Sequence, residues 1–123
     1  MIKMISGIFL IAHGLVHAGL FAAPDPSDPE SSPATFFTST ARSWFFNRLE
    51  MAAASVQRTG IILVVLSTLG FVIVGLGILG VPGVSEIWRA MSVVSASVSL
   101  LLLIIFWHPW LVVGVLIDIL VLL

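Results

Sequence analysis

His13 and His17 stand one helical turn apart inside an apolar run near the amino terminus. Residues at i and i+4 lie on one face of a helix, so both imidazoles can reach a single metal ion. A carboxylate from another helix would complete the two-histidine, one-carboxylate set that many iron and zinc sites use. Asp118, near the end of the chain, is the candidate. His13, His17 and Asp118 are therefore the metal-ligand candidates, although no His-Glu-x-x-His arrangement accompanies them. Haem ligation normally draws histidines from two helices, which leaves His17 with His108, or one imidazole alone. A proton path through Asp118 and His13 is a third chemistry, because buried imidazoles and carboxylates titrate in a useful range. Against all three stands a structural role, with both histidines bonded to serines, to Asp118 or to backbone carbonyls of adjacent helices. The chain holds three histidines, too few for a membrane desaturase or hydroxylase. An unpaired charge at the membrane centre costs roughly 3 kcal/mol or more, so Asp118 needs a partner: His13, His17 or Arg58.

The elements that must carry these residues follow from composition. Of 123 residues, 59% are hydrophobic and 9% charged, with a mean hydropathy of +1.21, against about 25% charged in an average soluble domain. The absence of cysteine excludes disulfides, thiolate metal sites and Cys-x-x-Cys-His haem attachment. A net charge of −1 without any Lys/Arg cluster gives no footprint for nucleic acid.

Residues 2–23 form an apolar run long enough to cross a ~30 Å hydrocarbon core as a helix. Lys3 and the small residues Ala18 to Ala23 would also suit a signal peptide, but the run exceeds the roughly 7–15 residues of such a segment and carries two histidines. A retained span is expected. Residues 24–33 hold four prolines and three acids and read as an aqueous loop. From 38 to 56, arginines alternate with Trp44, Phe45, Phe46, Leu49 and Met51; this fits either an interfacial helix capped by Ser39 or Thr40 or the first turns of the next span. Further spans are expected at 59–80, 85–107 and 110–123. Val81-Pro82-Gly83-Val84 is a turn, and His108-Pro109 is a break. The last run reaches about 21 Å, short for a crossing, so it is either tilted in a thin bilayer or continued by further chain.

Small residues lie in stripes. Gly60, Ser67 and Gly77 share one face of the second span, and Ser85, Trp88, Arg89, Ser92, Ser95 and Ser99 share one of the third. Such stripes let helices approach closely. Trp44, Trp88, Trp107 and Trp110 are expected as interface anchors, and Arg58 and Arg89 as snorkelling cations unless Arg58 pairs with Asp118.

Antiparallel spans assign depth. At 1.5 Å per residue, His17 and His13 lie roughly 9 Å and 15 Å below the side bearing the long loop, and Asp118 roughly 12 Å. Ser99 is at similar depth, while His108 and Arg58 sit at the same end. Ser6, His13 and His17 share one helix face; Leu111, Gly114 and Asp118 share another. The costly groups converge in one half of the assembly, with Gly114 allowing the first helix to come near.

The element Ile8-Phe9-Leu10-Ile11-Ala12-His13-Gly14-Leu15-Val16-His17, followed by a polar loop, three more spans and a late polar residue after a tryptophan-bearing turn, resembles a group of small, uncharacterised four-helix prokaryotic membrane proteins with His-Gly-x-x-His in the first helix. The resemblance implies four spans and a role for both histidines. It carries no activity, and that group usually has an asparagine-like residue where Asp118 stands.

The expected protein is all-α, an integral membrane four-helix up-and-down bundle with a partly ordered, Pro-rich aqueous loop or an interfacial helix between the first two spans. It is multi-pass in the cell membrane, with the acidic loop outside and both termini cytoplasmic. Its small-residue stripes are expected to pack in a homo-oligomer or a larger membrane complex. The expected function is non-enzymatic, as a subunit or small-ligand-binding bundle with a buried His/His/Asp cluster. The alternatives are a metal- or haem-dependent redox protein and, third, a proton or solute transporter.

Overall fold

The computed structural model describes residues 1–28 and 30–123, which are helical and contain no strand. Helix α1 spans Ile2–Ala22, the short α2 Trp44–Arg48, α3 Ala53–Ile78, α4 Trp88–Ile105 and α5 Val112–Leu122, with a 3₁₀ turn over Pro109–Leu111 before α5. Helices α1, α3 and α4 are each long and apolar enough to cross a membrane. Helix α5, at 11 residues, is shorter than a crossing requires.

Proline and glycine set the ends. Ala23 is extended ahead of Pro24 and closes α1. Gly80 (φ +86°) and Gly83 (φ +85°) take left-handed conformations in the turn after α3, which a side chain would strain. His108 is extended ahead of Pro109, and its Nδ1 accepts the Trp110 N–H at 3.2 Å, so the histidine caps the 3₁₀ turn.

Two boundaries differ from expectation. Helix α3 begins at Ala53, six residues before the predicted span, because Ala53 to Arg58 contains nothing that breaks a helix. The predicted interfacial helix shrinks to the five residues of α2, capped by Ser43, whose Oγ accepts the Phe46 N–H at 3.2 Å, and not by Ser39 or Thr40. Around it the chain turns repeatedly, with left-handed Ala34 and Glu50 (φ 63° and 51°) on either side. The reason is that the aromatics divide: Phe36, Phe37 and Phe46 are buried against Phe106, Leu102 and Leu63, while Trp44 and Phe45 stay exposed. The segment forms a lid on the ends of α3 and α4, held by hydrogen bonds from Ser43 Oγ to Ile105 O (2.9 Å) and from Trp44 Nε1 to Ile104 O (2.6 Å).

The long helices pack in series, α1 on α3, α3 on α4 and α4 on α5. Each contact is antiparallel: Gly7 meets Gly75 and Leu79 while Gly14 meets Thr68 and Phe71; Gly70 meets Ser95 while Gly77 meets Trp88; Gly114 meets Leu103. A Cβ on Gly14 would lie 2.9 Å from Thr68 O, and one on Gly75 2.5 Å from Gly7 O, so these glycines set the α1–α3 spacing. Gly60 is covered by the backbone of Phe37. The small-residue stripe of α3 is therefore filled by the chain's own elements. Helices α1 and α5, at the two ends of the series, make no comparable contact. They leave a seam bridged by side chains.

Candidate functional site

Four buried polar side chains cross that seam. His13 and His17 come from the buried face of α1, Ser99 from α4 and Asp118 from α5, where it is the one buried residue. Asp118 and Ser99 have no solvent-accessible surface, and His17 keeps 2%. Nε2 of His13 lies 3.0 Å from Oδ1 of Asp118. Ser99 Oγ lies 2.5 Å from Oδ2 of Asp118 and 2.7 Å from Nε2 of His17. Nδ1 of His17 lies 3.0 Å from the carbonyl of His13, one turn back. The result is a continuous chain from His13 through Asp118 and Ser99 to His17. Phe71 of α3 packs beneath it, its ring 4.7 Å from His13 edge-on and 6.1 Å from His17 stacked.

Donor and acceptor rules restrict where the protons lie. A carbonyl only accepts, so Nδ1 of His17 carries a proton. Ser99 has one proton to give. If it donates to Asp118, it must accept from Nε2 of His17; if it accepts from the Asp118 carboxyl, it donates to Nε2 of His17. The two arrangements are an ion pair, His17⁺ with Asp118⁻, and an uncharged set. They differ by a shift of two protons along the Asp118–Ser99–His17 line. In both, His13 donates from Nε2 to Asp118.

His13, His17 and Asp118 each offer a ligand atom within 4.8 Å of the others, all three buried. The His17 Nδ1–H bond to a backbone carbonyl is the kind that orients a metal-bound imidazole. A divalent cation there would be balanced by one carboxylate, leaving a net positive charge in an apolar interior.

The other predicted site residues lie elsewhere. Arg58 is exposed on the first turns of α3 and makes no ion pair among the described residues. His108 faces the Trp110 amide and the Phe36 ring (6.2 Å), so no His17/His108 pair forms. Trp44, Trp107 and Trp110 are 50%, 43% and 70% exposed. Trp88 is half-buried over Gly77, with the Arg89 guanidinium 5.4 Å from its ring.

At the loop end the structure adds a centre that composition did not reveal. Asp25 is buried; its N–H donates to Ser31 Oγ and Thr35 Oγ1 (2.8 and 2.9 Å), and its Oδ1 accepts from the N–H and hydroxyl of Ser27. Arg42 reaches Asp25 (3.5 Å), the Trp107 carbonyl (3.2 Å) and the Phe36 ring (5.1 Å). Burial lowers the pKa of Arg42 and the charge of Asp25 raises it in part. His108 is held below its usual value by desolvation and then by the Arg42 charge, with Asp25 opposing. An Asx turn at Asp-Pro-Ser was the available signal for Asp25; nothing local marked Arg42.

A cavity of about 270 Å³ occupies the seam. Ala12, His13, Val16 and His17 wall it from α1, and Trp110, Gly114 and Ile117 from the opposite side. Ala12, Val16 and Trp110 are exposed, so it opens sideways between α1 and α5. Comparison with protein-family models, with curated proteins and with solved structures finds no match to this chain.

Proposed function

We propose that this chain is an integral membrane four-helix bundle that binds a small, membrane-dissolved molecule in the cavity between α1 and α5, without chemistry of its own. The observation that carries the reading is the incomplete closure of the helix series. Where α1 and α5 would otherwise pack, a side-opening apolar cavity lies against two histidines held rigidly by Asp118 and Ser99. Ligand sites are typically apolar hollows with a few convergent polar groups whose orientation is fixed from behind. In the membrane the opening faces the acyl chains, so access is lateral and the ligand is lipid-soluble. The acidic loop and its Phe36/Phe37 lid lie outside the cytoplasm, and both termini inside.

The test is saturable binding of an apolar probe. In lipid nanodiscs, methyl resonances of Leu103 and Ile117 shift with a small alkylbenzene and saturate, and Ala12→Phe, which fills the cavity from the α1 side, abolishes the shift. Non-saturating shifts, identical in Ala12→Phe, would show a lipid-filled groove and no site.

A second reading, a metal-dependent redox protein, is favoured by the ligand-atom spacing of His13, His17 and Asp118. It requires stoichiometric metal in the purified protein that disappears in His17→Ala.

A further inference from the structure

We infer that the molecule in the cavity carries a hydroxyl group, and that this hydroxyl donates a hydrogen bond to Nδ1 of His13. The inference rests on the cavity being a ligand site and adds the chemical class of the ligand.

It comes from the one polar atom of the cluster that the cluster does not use. Both nitrogens of His17, both oxygens of Asp118 and the Ser99 hydroxyl have partners. Nδ1 of His13 has none among the described residues. It is also not enclosed: the His13 side chain keeps 5% of its surface, and it lines the cavity. The ring carbon between its two nitrogens lies 4.0 Å from where a Cβ on Gly114 would stand, so the imidazole edge is turned toward α5 across the seam.

Whether Nδ1 donates or accepts follows from the proton count. Its proton would come in one of two ways. His13 becomes an imidazolium; or Asp118 donates from Oδ1 to Nε2, which forces Ser99 to donate to Oδ2 and His17 to carry two protons. Either way the four residues hold a net charge of +1. With Nδ1 bare they sum to zero in both permitted arrangements. A net charge at this depth in hydrocarbon is expensive, and no acidic residue other than Asp118 lies in α1, α3, α4 or α5. Nδ1 is therefore a lone-pair acceptor facing an apolar hollow. An acceptor in such a place is matched by a donor attached to an apolar body. Among membrane-dissolved molecules that means an alcohol, a phenol or a quinol; an ether, an ester or a quinone carbonyl presents only acceptors and would oppose lone pair to lone pair.

The experiment compares para-butylphenol with para-butylanisole, its methyl ether, on the full chain in lipid nanodiscs. Affinity is read from the Leu103 and Ile117 methyls, and the state of His13 from its nitrogen-15 resonances. The expected result is that the phenol binds at least about tenfold more tightly than the ether. The Nδ1 signal of His13 moves from the position of a bare ring nitrogen toward that of a bonded one, and His17 changes little. Equal affinity for the two probes, or an unmoved Nδ1 signal at saturation, overturns the inference while leaving the cavity a ligand site. If neither probe binds, the cavity reading falls as well.

Discussion

Asp118→Asn should cost less than Asp118→Leu, although both remove the carboxylate. Asparagine can reproduce the uncharged arrangement bond for bond. Its Oδ1 accepts from Nε2 of His13, its Nδ2 donates to Ser99, and Ser99 then donates to Nε2 of His17. One amide N–H is left buried without an acceptor, so a loss of about 1–3 kcal/mol is expected. Leucine removes the 3.0 Å and 2.5 Å bonds together and leaves the N–H of the buried His13 without its acceptor. An interhelical hydrogen bond in a membrane contributes about 0.6 kcal/mol on average, and a buried donor left unpaired costs about 1–3 kcal/mol. The sum is a loss of about 2–4 kcal/mol. Reversible denaturation in mixed micelles, with helix content as the signal, would measure both variants against the wild type. If asparagine is as damaging as leucine, the site needs a negative charge; the uncharged arrangement is then refuted and the ion pair of His17⁺ with Asp118⁻ is the one that holds.

Four further outcomes follow from particular contacts. Ser95→Ala should be neutral or stabilising by up to about 1 kcal/mol, because the Ser95 hydroxyl is buried without a partner. Ser99→Ala, one turn along α4, should lose about 2 kcal/mol or more, since the 2.5 Å and 2.7 Å bonds both go; the same denaturation series compares them. Gly14→Val should destabilise by about 1–3 kcal/mol, because its Cβ would stand 2.9 Å from both Thr68 O and the Phe71 Cβ and push α1 off α3; the His13 and Phe71 resonances should report the shift. The cap at Trp110 should weaken in acid. The pKa of His108 is lowered in the folded protein, so its contribution is present above its unfolded value of 6.5 and is lost as pH falls below it. Protonating Nδ1 turns the acceptor of the Trp110 N–H into a donor. Amide exchange at Trp110, compared with that at Leu102 between about pH 7.5 and about pH 5, should rise relative to the usual pH trend; an unchanged ratio would show that the cap does not depend on His108.

How much of this was legible in the chain depends on the range of the interaction. The long helices were readable because the apolar runs of α1, α3 and α4 are bounded by Pro24, by Gly80 with Pro82, and by Pro109. The approach of His13 to Asp118 was readable too, since antiparallel helices of known rise assign each residue a depth, and buried polar groups at one depth have few partners other than each other. The same reasoning brought in Ser99, but it also admitted Arg58, because depth says nothing about which side of a helix faces inward. The lid was harder. Alternating arginines and aromatics describe an interfacial helix as well as they describe a strap, and only the burial of Phe36, Phe37 and Phe46 on the helix ends decides between them.

What no local pattern could show is that the helix series stays open. In α3 the glycines bring neighbours close on two sides, toward α1 and toward α4, so the middle of the assembly is tightly joined. In α5 only Gly114 plays that part, and it faces Leu103 as well as His13. The last helix is therefore held to α4 by packing and to α1 by one hydrogen-bonded histidine. That imbalance makes Asp118 more than a register pin. It is the group that keeps α5 beside α1 while leaving room between them, so the same bond that stabilises the fold holds the cavity open and turns the free nitrogen of His13 toward it.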